Sequence, residues 1–263
     1  MAAPTMRAHG GVTVVLRGVA KSYDGIPVLR GIDLDVRAGE LLAILGQSGQ
    51  GKSVLLRQII GLEQPDAGEI VVGGIPLPRY LALPPDEKPF RIAMVFQGAA
   101  LLASLTVAEN VALRLREHGR HTEAEIAAIT RQALEQVELG DAAGKYPGEL
   151  SGGMRKRAAI ARALAIDPEL ILYDEPTADL DPILTEQIGE LIRRIRARRG
   201  STQIFVTHNL PLARAIADRI AVLDGGRIVE CSTPAALAAS RVPITREFLR
   251  AAGFDAAGAR PEA

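Results

Sequence analysis

The run Gly46-Gln47-Ser48-Gly49-Gln50-Gly51-Lys52-Ser53 holds the residues best suited to chemistry. Gly46, Gly51, Lys52 and Ser53 stand at the spacing of a phosphate-binding loop. Glycines let such a loop wrap tightly and turn its N–H groups inward, and a following helix adds partial positive charge. Lys52 would reach the β- and γ-phosphates of a nucleotide, and the Ser53 hydroxyl would bind Mg²⁺. The contacting stretch is expected to run from Gly46 through Val54. A second group lies at Asp174-Glu175, after the apolar run Leu170 to Tyr173. A carboxylate at the carboxyl end of a core strand lies where open α/β sheets bind ligands. Asp174 is expected to hold Mg²⁺, directly or through water. Glu175 is expected to act as base or to polarise an attacking water.

These groups need a frame. Leu41 to Leu45 is continuously apolar, as in a buried parallel strand, and feeds the glycine loop. Ser53 to Ile60 reads as helix, stopped by Gly61. Val12 to Arg17, Ile32 to Val36 and Glu69 to Val72 read as short strands, the first two in an antiparallel sheet with one wet face. Pro76 to Pro89 reads as an irregular loop. Ile92 to Phe96, Leu170 to Tyr173 and Ile204 to Thr207 read as further core strands. The segment 107–142 is helical and charged. Pro182 to Arg199 reads as helix, with Asp181 as N-cap and Gly200 beyond its end. The expected fold is α/β: a phosphate-loop core with a mostly parallel sheet, an antiparallel β subdomain and an inserted helical subdomain. The expected division is a tail over 1–11, a domain over 12–235 with helical insert at about 98–165, and an extension over 236–263.

Bulk properties exclude other classes. Apolar residues make up 48% of the 263, which rules out wholesale disorder. Lys+Arg and Asp+Glu balance at 31 each, so an overall basic nucleic-acid binder is not indicated. Cys231 is the only cysteine, which fits a reducing compartment. No run of about 20 apolar residues marks a membrane span, and the first residues lack a signal-peptide core, so a peripheral membrane role is expected. His118 and His121 flank Gly119 without an obvious third ligand. The arginines from Arg193 to Arg199 are expected to form a solvated face at a helix C-terminus. The cluster Arg155-Lys156-Arg157 is expected at an interface.

Leu150-Ser151-Gly152-Gly153-Met154, between the glycine loop and the Asp-Glu pair, makes the chain resemble the nucleotide-binding domain of ABC ATPases over roughly residues 12–232. The resemblance implies a homodimer with two Mg·ATP held between subunits. Ser151, Gly152, Gly153 and Met154 would act on ATP bound to the opposite chain, and local chemistry agrees, since Ser-Gly-Gly exposes N–H groups at a helix start. Other positions follow the family singly. Tyr23 resembles the aromatic that stacks on adenine. Gln97 resembles the glutamine that touches Mg²⁺ and couples the site to a membrane partner. Asp179 and Asp181 lie in a stretch resembling the loop that crosses the dimer interface. His208 resembles the histidine at the γ-phosphate. The chain departs from the family at Asn209, where Asp is frequent, and at Met154, where Gln is frequent.

Met154 with the basic residues after it resembles the ATPases of Mla/Mce-type lipid transport systems. So do Phe96 to Leu102, Leu105 to Val111 and Leu115 to His118. That resemblance implies a peripheral ATPase on the cytoplasmic face of the inner membrane, beneath permease subunits. It would move phospholipid or a related lipid between envelope membranes, with a periplasmic MCE-domain protein and, in some systems, a STAS-like subunit. Two alternatives stay open. One is an importer ATPase for amino acids or another small solute. The other, more remote, is an ABC protein outside transport.

Overall fold

A computed structural model describes residues 10–254. Most of the expected tail, and positions 255–263 of the extension, lie outside the described residues. In chain order the elements are β1 (Val14–Tyr23), β2 (Ile26–Val36), β3 (Leu41–Leu45), α1 (Lys52–Ile60), β4 (Ala67–Val72), β5 (Ile75–Pro76) and α2 (Leu77–Ala82). Next come β6 (Ile92–Val95), α3 (Val107–His118), α4 (Glu123–Gln136), α5 (Gly152–Ala165), β7 (Leu170–Asp174), α6 (Pro182–Arg199) and β8 (Thr202–Thr207). The last are α7 (Leu210–Ile216), β9 (Arg219–Asp224), β10 (Arg227–Ser232), α8 (Pro234–Ala238) and α9 (Pro243–Ala251).

The described strands form two sheets, one with order β2-β1-β4-β5 and one with order β10-β9-β3-β8-β7-β6. The first is antiparallel throughout. The second is parallel except where β10 meets β9. Its central strands are buried on both faces, which is why they read as unbroken apolar runs. Alternation then divides them. Leu41, Ala43, Leu45, Ile171, Tyr173 and Phe205 join a core shared with α3 to α7. Leu42, Ile44, Leu170, Leu172, Ile204 and Val206 join a core shared with α1 and the antiparallel sheet. The ends of β3, β7 and β8 therefore converge at one rim, where the glycine loop, Asp174 and His208 follow.

Two expectations are corrected. The stretch 76–89 is not wholly irregular, because it contains α2. Pro78 is tolerated in the first turn, and Tyr80 anchors the helix by stacking on Phe90 at 4.5 Å between centroids and donating to its carbonyl at 2.9 Å. The α6 arginines are not simply a solvated face. Arg194 pairs with Glu138, Arg196 with Asp218 and the Gly39 carbonyl, and Arg199 with Asp167 and Gln136. In the basic cluster after Met154, Arg155 is exposed, Lys156 is buried and Arg157 is half-buried. Arg155 donates to the Leu150 carbonyl, Lys156 to the Gln97 carbonyl, and Arg157 to Glu138 and Gln187.

The last described helices pack back on the molecule. Leu237 and Leu249 are buried in the core that also holds α3 to α7, and Phe248 and Phe254 lie against it. Glu230 accepts from the Ser240 and Thr245 hydroxyls at 2.6 and 2.7 Å. Half-buried Cys231 receives a hydrogen bond from Arg219 at 2.8 Å. Burial pushes its thiol pKa above the ordinary value.

Candidate functional site

The glycine loop runs from the end of β3 into α1. Gly46 and Gly51 are required by contact. A Cβ on Gly46 would stand 2.7 Å from the Leu223 carbonyl oxygen. One on Gly51 would stand 2.9 Å from Val28 Cγ1, and φ there is +94°. Beside the loop opens a cavity of about 410 Å³, lined by Val28, Ser48, Gly49, Gly51, Lys52, Ser53, Val54, Gln97, Glu175 and His208.

Lys52 is buried and lies over its own loop. Its Nζ donates to the Gly46 and Gln47 carbonyls at 2.8 and 3.0 Å and stands 3.3 Å from Glu175 Oε1. Ser53 Oγ donates to Asp174 Oδ1 at 2.7 Å. Burial raises the Asp174 carboxyl pKa above the usual carboxylate range, and the Ser53 hydrogen bond opposes that. Glu175 Oε2 lies 3.1 Å from His208 Nδ1. Glu175 has φ of +45° and Asp179 of +65°. Non-glycine residues rarely adopt that region, and such residues concentrate at functional sites.

Not every expected residue meets this cavity. Tyr23 is absent from its lining; its hydroxyl donates to Glu63, which in turn accepts from Arg57 of α1 at 2.7 Å. Gln50 is also absent from the lining, and its side-chain oxygen accepts from Gly225 N at 2.8 Å. Ser151, Gly152, Gly153 and Met154 lie at the start of α5, also outside the lining. Ser151 caps that helix by accepting from Met154 N at 3.3 Å, and Met154 packs on the core. Asp181 caps α6, and Asp179 is exposed just before it. Asn209 caps α7, accepting from Leu212 N at 2.9 Å, a task Asn and Asp perform equally well. Motif reasoning missed Val28, which reaches the cavity from the β1–β2 hairpin and carries no spacing signal.

A glycine loop on a helix start, a buried strand-end carboxylate pair and a mixed sheet define an ATP-binding cassette. The dimeric cassette MJ0796, solved in a post-hydrolysis state bound to ADP and Pi, superposes with a TM-score of 0.75 at 34% identity, over 84% of this chain and 98% of that one. The ABC transporter family matches residues 29–178, and the chain belongs to that family. The methionine import ATP-binding protein MetN of Caulobacter vibrioides is 44% identical over 219 residues, 82% of this chain and 66% of that protein. The mkl protein of Mycobacterium leprae, described as a "probable ribonucleotide transport ATP-binding protein", is 39% identical over 239 residues, 91% of this chain and 69% of that protein. The sulfate/thiosulfate import protein CysA of C. vibrioides is 41% identical over 226 residues. This chain thus spans about two thirds of the length of these relatives. Among the described residues no helix is long and apolar enough to cross a membrane.

Proposed function

We propose that the chain is the ATP-hydrolysing subunit of a transporter, bound peripherally to a separate permease and working as a homodimer. The supporting observation is the set of buried Lys52, Asp174 and Glu175 with half-buried Ser53, and His208 at its edge. ATP would enter with its phosphates on the loop N–H groups, drawing Lys52 off its carbonyls. Ser53 and Asp174 offer adjacent hard oxygen donors, and Gln97 lines the same cavity, a set that suits Mg²⁺. When bound, that ion neutralises charge on the β- and γ-phosphates. Glu175, oriented by His208, would align water for in-line attack. By the family resemblance Ser151, Gly152 and Gly153, which lie at the start of α5 outside this cavity, would act on the nucleotide of the opposite chain. The interface would also include Asp179 and Asp181, and Tyr23 would stack on adenine. Glu175→Gln is expected to keep ATP binding and lose most turnover; unchanged turnover would remove Glu175 from this role. Mixed dimers of Lys52→Ala and Ser151→Arg chains retain one complete composite site. Dimers that form without activity above either parent would overturn that arrangement.

For the cargo we propose a lipid. The support is the run Ser151 to Arg157 with Phe96 to Leu102, which resembles Mla/Mce-type ATPases. The implied partners are a permease, a periplasmic MCE-domain protein and a STAS-like subunit. A second reading, import of a small solute, is favoured by the likeness to MetN and CysA. The assembled complex purified with its permease separates them. Phospholipid vesicles are expected to stimulate ATP turnover, with ATP-dependent transfer of labelled phospholipid between vesicles. Stimulation only by a solute-loaded binding protein would support the second reading.

A further inference from the structure

We propose that Lys156, assisted by Arg162, is a positioning residue for the chain's own nucleotide site, although it follows closely on the segment that serves the partner's. Ser151, five residues earlier, is exposed at the start of α5. At about 100° per residue, five residues turn the helix by roughly 140°, so the two side chains leave it in different directions. Lys156 is 7% exposed, and its ammonium donates to the Gln97 carbonyl. Arg162 donates to the Ala99 and Ala100 carbonyls at 2.8 and 2.5 Å. Two cations of one helix thus hold three backbone carbonyls of the segment 97–100.

That segment needs holding. Ala99 and Ala100 have φ of +61° and +48°, a region in which a Cβ is unfavourable. Gln97 extends from the same segment into the cavity. Asp179, Glu175 and Asp174 lie close enough to Lys156 to act on its charge. Lys156 thus links the segment of Gln97 electrostatically to the strand-end carboxylates. A movement of α5 produced by the opposite subunit's nucleotide would be carried to Gln97 of the same chain. The neutral amide or apolar group of a Lys156 substitute could not hold these carbonyls and answer the carboxylates together.

This inference rests on the two-chain reading above, and mixed dimers separate the two. In the Lys52→Ala with Ser151→Arg dimer, the Ser151→Arg chain supplies the phosphate loop of the one complete site. Lys156→Met on that chain is expected to lower kcat about tenfold or more, as small misplacements do, with little change in the KM for ATP. Lys156→Arg there is expected to restore most of the rate. On the Lys52→Ala chain, whose own site is already disabled, Lys156→Met is expected to remove nothing further. Loss in the second arrangement, or equal loss in both, overturns the proposal. Hydrogen exchange of segment 97–102 gives an answer independent of activity. Faster exchange is expected in the Lys156→Met homodimer at unchanged melting temperature, and unchanged exchange overturns the clamp.

Discussion

Lys52 enters the site already bonded to two carbonyls and facing Glu175, so nucleotide binding is an exchange of partners rather than the filling of an empty cradle. The same holds at Tyr23, whose hydroxyl joins Glu63 and through it Arg57 on the helix that begins with Lys52. That chain of bonds fixes the ring relative to the phosphate loop. Tyr23→Phe and Glu63→Gln are each expected to raise the KM for ATP several-fold. The double variant is expected to be no worse than either single one, a coupling of about 1 kcal/mol, the size of one single effect; additive effects in steady-state kinetics would deny the link. The phosphate loop was legible in the sequence because its glycines, lysine and serine are contiguous and each is fixed by local sterics. Val28 and Glu63 were not, because they reach their places through a hairpin and a turn that bear no spacing rule. The Gln50 side chain shows the opposite limit, since a motif position marks a backbone and leaves the side chain free to bind Gly225.

At the scale of elements, α5 ties several separate segments together. Its start is capped by Ser151, its flank holds the Gln97 segment, and Arg157 reaches Glu138 beyond α4. Glu138 also accepts from Arg194 of α6, so one carboxylate just past α4 joins α5 to α6. Its hydrogen bonds to Arg194 and then Arg157 hold its pKa below the ordinary glutamate value. A depressed folded pKa contributes stability above the unfolded pKa, about 4.3, and loses it as pH falls through the folded value. Glu138→Gln is therefore expected to lower the melting temperature modestly at pH 7, since the carboxylate is half exposed. The gap to the unaltered protein should narrow below about pH 4.3, and a gap that persists in acid would deny the charge contribution. Strands β3, β6, β7 and β8 could be read directly, because two buried faces demand uninterrupted apolar runs. The role of the α6 arginines could not, because pairing with Glu138, Asp218 and Asp167 depends on segments distant in sequence. Helix α2 was hidden by its prolines, and only the Tyr80–Phe90 stack explains why a helix forms there.

The whole molecule is two cores on either side of one sheet, and its last described helices belong to one of them. Leu237 is fully buried and Leu249 is 4% exposed, each side chain contributing about 2 kcal/mol by burial. Removing residues 233–263 is expected to lower the melting temperature by several degrees and to increase binding of an apolar dye. A truncated chain with unchanged melting would show that α8 and α9 are only appended. The extension carried no motif, and its packing follows from Glu230 collecting the Ser240 and Thr245 hydroxyls, which no local pattern announces. Cys231 lies next to that carboxylate, half covered, hydrogen-bonded by Arg219 and with its thiol held in the protonated form. Slow reaction with maleimides follows, because the thiolate is the attacking species. The native chain is thus close to a silent background for spectroscopic labelling. One added cysteine at exposed Ala197 of α6 could carry a spin label, and its distance to the copy on a second chain would report whether two subunits have drawn together.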